Sequence, residues 1–148
     1  MMRCFKIMIY GCLLAGMFAL LGCGGGVVDS SGSQAKTFRV VPAGAGSYTI
    51  QAANMGGVAG IQLELGYDAA LGVPTVTQGD LVAGALLAAN TTLLGTVKIA
   101  LISVQPFSGS GTVARISFPV TSGSGGITSM KASIVDVTGS QLTVQTYL

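Results

Sequence analysis

The sequence predicts an all-β domain, an antiparallel sandwich of eight or nine short strands. Apolar and polar residues alternate with period two through most of the chain beyond Thr37. Turn-forming Gly, Ser, Asn and Thr clusters interrupt the alternation at short intervals. No ten-residue amphipathic helix is present, so the crossovers that parallel strands require are missing.

Taken in order, Thr37–Val41 and Ser47–Ala52 alternate, with Phe38, Val40, Tyr48 and Ile50 on one side and a Gly-Ala link between them. Ile61–Tyr67 is the cleanest strand: Ile61, Leu63, Leu65 and Tyr67 share one face, and Gln62, Glu64 and Gly66 the other. Pro74–Gln78 is a further short strand. Leu81–Leu94 is apolar, but a Gly and a Thr pair interrupt it, so it reads as loop plus strand. Thr96–Val104 turns Val97, Ile99 and Leu101 inward and Thr96, Lys98 and Ala100 outward. Ala114–Val120 turns Ala114, Ile116, Phe118 and Val120 inward; its Pro119 cannot donate to a ladder and marks an edge or a bulge. Strands at Ile127–Ile134 and Gln141–Tyr147 complete the set.

The composition excludes several functions. Half of the 148 residues are hydrophobic and 8% are charged, against about 25% in a typical domain. Histidine is absent, which removes Ser/His/Asp and Cys/His catalysis and the commonest zinc sites. The formal charge of +2 is too small for a nucleic-acid surface. Glu64 and Asp68, the nearest acidic pair, would lie about 13 Å apart along a strand, too far for a glycosidase pair. Asp68 reads as the cap of a turn. No catalytic residue, cofactor site or metal site is expected.

The first segment is an address. Arg3 and Lys6 precede an apolar run, Ile7–Leu21, of signal-peptide length. Leu20-Leu21-Gly22-Cys23 resembles a bacterial lipobox, which implies that Cys23 becomes the acylated first residue of the mature chain. Residues 1–22 are then a lipoprotein signal peptide. Residues 23–36 are the lipidated Cys and a Gly/Ser-rich flexible linker, and 37–148 the β domain. Gly24 in place of Asp departs from the inner-membrane retention signal, so the expected location is the cell envelope, at the outer membrane. Cys4 and Cys12 leave with the leader, and no thiol remains for a disulfide or a metal. Removing Arg3 and Lys6 also leaves five basic and five acidic residues, so the mature chain is neutral.

Four blocks together resemble the cohesin family. They are Gly60-Ile-Gln-Leu-Glu-Leu-Gly-Tyr-Asp68 with Ala69-Ala70-Leu71, and the Gln78-Gly79-Asp80-Leu81 turn. Lys98–Leu101 with Ser108–Val120 follows, and then the closing segment Ala132–Gly139. Order and spacing both fit. Ala69 stands where the family pattern has Pro. The resemblance implies a nine-stranded jelly roll related to carbohydrate-binding modules, no catalysis, and a protein partner. That partner would be a dockerin, which carries its own calcium, or another envelope or secreted protein. The expected partner surface is the outward row Gln62, Glu64, Lys98 and Arg115. Two alternatives stay open: a polysaccharide-binding module, for which Phe107 and Tyr147 are the exposed aromatics expected, and a structural accessory of a secretion or pilus complex.

Overall fold

A computed structural model describes residues 34–119 and 125–148. The expected leader, Cys23, the linker up to residue 33 and the inward position expected for Val120 lie outside the described residues. Ten strands are present among those described. They are β1 (Lys36–Gly44), β2 (Ser47–Ala53), β3 (Val58–Tyr67), β4 (Thr75–Gln78) and β5 (Leu86–Asn90). Then come β6 (Thr96–Phe107), β7 (Gly111–Ser117), β8 (Ile127–Asp136), β9 (Gln141–Leu142) and β10 (Val144–Tyr147). Single 3-10 turns cover Ala69–Leu71 and Asp80–Val82.

The strands form two five-stranded sheets, in the orders β10-β1-β2-β7-β4 and β5-β6-β3-β8-β9. This is a jelly-roll sandwich. The alternation explains it: the odd-numbered Ile61, Leu63, Leu65, Val97, Ile99 and Leu101 line one inner face, each at most 2% exposed. Phe38, Ile50, Ala114 and Ile116 from the first sheet complete the core with Met130 and Ile134 of β8. Each such side chain taken from water contributes about 1.5–3 kcal/mol. No charged side chain is buried among the described residues. The Tyr67 ring packs against Phe118 with centroids 4.8 Å apart, and its hydroxyl is buried without a hydrogen-bond partner.

Several elements differ in detail from the sequence reading. The single strand expected at Gln141–Tyr147 is two. β9 pairs with β8, the chain changes sheet at Thr143, and β10 runs parallel to β1. One pairing in the otherwise antiparallel sandwich is therefore parallel. β7 stops at Ser117, and exposed Pro119 follows the strand instead of sitting within it. β1 begins at Lys36, one residue inside the expected linker, and Lys36 Nζ donates to the carbonyls of Asn54 and Gly56. Phe107, expected at the surface, is buried at 7% exposure. β6 runs on to Phe107, which pairs with Val58 beyond a register shift that follows Ile102 and is turned inward there. Asp68 does cap a turn: its Oδ1 accepts from the Ala70 N–H at 2.9 Å.

Candidate functional site

The outward face of β5-β6-β3-β8 is banded, because antiparallel register aligns residues of like kind across all four strands. Asn90, Lys98, Glu64 and Lys131 are successive register partners and form a charged band. One step along, two residues or about 6.7 Å, the register brings together Ala88, Ala100, Gln62 and Ser133. A further step gives Leu86, Ile102, Gly60 and Val135. The middle band is low, since its alanines have almost no side chain. The third band is an exposed apolar ridge: Leu86 is 72% and Ile102 63% exposed. Val135 leans across Gly60, where a Cβ would lie 2.7 Å from Val135 Cγ2. Gly60 is thus required for that contact. Shallow hollows of about 510 Å³ beside the charged band and about 360 Å³ beside the apolar one result.

Within the charged band Lys98 Nζ lies 3.4 Å from Glu64 Oε2, and both side chains are about half exposed. Exposed Lys131 flanks Glu64 on its other side, with no ion-pair partner among the described residues.

Of the expected partner row, Gln62, Glu64 and Lys98 come together on this face. Arg115 does not. It lies on β7 in the other sheet, where its guanidinium meets Asp80 Oδ1 at 3.3 Å. The row is corrected accordingly: alternation tells inside from outside, but it does not tell which of two sheets an outward residue belongs to. Four contributors were missed. Lys131 has outward parity in a strand that was expected and Val135 lies one residue past its expected end, but their register with Glu64 and Gly60 was not legible. Leu86 and Ile102 were passed over because exposed apolar residues look like core in a sequence.

The four described carboxylates each have a structural partner. Glu64 pairs with Lys98, Asp80 with Arg115, Asp68 caps its turn, and Asp136 accepts from Thr138 and Ser140. Among the described residues no three acidic or cysteine side chains gather where a metal could bind. Tyr147 is the one exposed aromatic ring among them, at 44%, with the Arg39 guanidinium 5.8 Å above it. A flat aromatic platform for sugar rings is not formed by the described residues.

The fold is cohesin-like. An archaeal non-cellulosomal cohesin, from Archaeoglobus fulgidus, superposes with a TM-score of 0.63 at 23% identity. The match covers 76% of this chain and 86% of that one. A cohesin from Clostridium thermocellum, solved in a type I cohesin–dockerin complex, gives 0.60 at 14% identity over 76% and 93%. A type II cohesin from the adaptor scaffoldin of Acetivibrio cellulolyticus gives 0.57 at 13% identity over 76% and 87%. No family model matches the sequence, and no curated protein matches it.

Proposed function

We propose that this protein is a non-catalytic, lipid-anchored envelope protein whose cohesin-like domain binds a protein partner through the banded face. The observation that carries the reading is the apolar ridge of exposed Leu86 and Ile102 with half-buried Val135 beside a charged band on one sheet face. An apolar strip with a polar margin is the composition of a protein-docking surface. Three of the similar structures are cohesins in complex with dockerins, which supports a protein as the occupant. Acylation at Cys23 would hold the domain at the membrane, on the outer-membrane side of the envelope in the sense its lipobox implies.

The test is capture from envelope extract with the wild-type protein and with Ile102→Asp. A charge on the ridge should abolish capture while the unfolding midpoint stays within a few degrees. Equal capture by both would remove the face from the function. Chelator then sorts the partner. A dockerin-type partner should be released by it, and a chelator-resistant complex indicates another envelope protein.

A further inference from the structure

We propose that the partner segment seated on this face presents carboxylates to the charged band. The inference rests on the docking reading above and adds the sign of charge that the partner carries. Lys98 and Lys131 are the register partners of Glu64 on the two adjacent strands, so a lysine stands on either side of one acidic residue. Glu64 is matched by Lys98 at 3.4 Å, and the band keeps one positive charge in excess, on Lys131. The other two bands of the face carry no charge at all.

A carboxylate arriving over Lys131 gains an ion pair and breaks none. An ammonium or guanidinium arriving there meets a like charge. To reach Glu64 instead, it must displace Lys98 and come in between two lysines. Like-charge juxtaposition of this kind is how an interface rejects a wrong partner. The geometry also fixes where the acid sits. The apolar ridge lies four residues along the strands from the charged band, about 13 Å. The complementary segment therefore carries apolar side chains along one margin and Asp or Glu along the other, at about the width of one helix. With a neutral mature chain there is little long-range field to steer a partner, so this preference acts at contact range and weakens with salt.

The experiment is selection of short displayed peptides from a randomised library on the full-length protein in detergent. Selection is repeated on the double variant Lys98→Glu, Lys131→Glu and on Ile102→Asp, with unfolding midpoints matched to wild type. The wild type should enrich peptides rich in Asp and Glu beside apolar residues. These should bind the double variant on the order of tenfold more weakly. Lys131→Gln, which removes charge without reversing it, should give an intermediate loss. The double variant should enrich basic peptides instead. Loss of binding on Ile102→Asp with no acidic bias and no effect of charge reversal overturns the proposal and leaves the docking face standing. If neither the ridge variant nor the charge variants alter binding, both readings fall. A library that yields no binder to the wild type also overturns the proposal.

Discussion

Leu63 and Glu64 are neighbours in β3 with opposite fates: the first is 2% exposed, the second half exposed and ion-paired. Leu63→Ala should cost about 2–5 kcal/mol, because a packed core relaxes only partly around the cavity. Glu64→Ala should cost less than about 1 kcal/mol, the worth of an exposed pair. Urea unfolding of the two variants checks the order, and a reversal would put the register of β3 off by one. Period-two alternation made that contrast legible, because a strand has only two faces. Asp136 presents a different residue-scale case. The Thr138 hydroxyl, then the Ser140 and other backbone N–H groups, hydrogen-bond its carboxylate and hold its pKa below the ordinary value. A depressed folded pKa favours the folded state while the group is charged, and that contribution fades as pH falls through the folded pKa. Asp136→Ala should therefore melt lower than wild type at neutral pH. The gap should narrow below about pH 4. A gap of the same size in acid would show that the turn acts through packing alone.

The strands themselves were readable, and their partners were less so. Thr96 onward was expected as a strand on its alternation, and β6 is one. The register shift between Ile102 and Phe107, opposite Gly60 and Val58, within which Val104 is 93% exposed, has no signature in composition. Gln141–Tyr147 was expected as one strand, yet Thr143 carries the chain from one sheet to the other. The parallel β1–β10 pairing is a contact between residues more than a hundred positions apart, set by closure of the sandwich and not by local pattern. Where backbones must approach closely, the sequence did leave a mark. Gly79, between β4 and the following 3-10 turn, donates its N–H to the Val113 carbonyl at 2.9 Å. A Cβ there would overlap the Thr112 carbonyl. Gly79→Ala has to push β4 off β7, and should cost about 1–3 kcal/mol, as overpacking does. Thermal unfolding would show it. A variant as stable as wild type would mean that the turn accommodates a methyl by moving freely.

At the scale of the whole molecule, the described core and the proposed anchor lie in different stretches of the sequence. Every core residue among those described, from Phe38 to Ile134, lies beyond the expected linker. The proposed leader is a reading of the sequence alone: a charged start, an apolar run and a thiol at its end. The docking face was legible only in part, since Glu64 and Lys98 could be placed outward but their union with Lys131 and Leu86 depends on register across four strands. These separate origins make the proposed anchor testable without disturbing the fold. Cys23→Ser should remove fatty-acid labelling and block processing, because a hydroxyl does not accept the diacylglycerol. Three acyl chains exceed the two signals that stable membrane residence needs. The unmodified variant should therefore also lose the firm, detergent-requiring attachment of the acylated form and depend on its uncleaved leader alone. Its domain should unfold at the wild-type denaturant midpoint, since the described core residues run from Phe38 to Ile134. Equal label in wild type and variant would sink the lipoprotein reading. A shifted midpoint would mean instead that the segment before Lys36 packs on the domain.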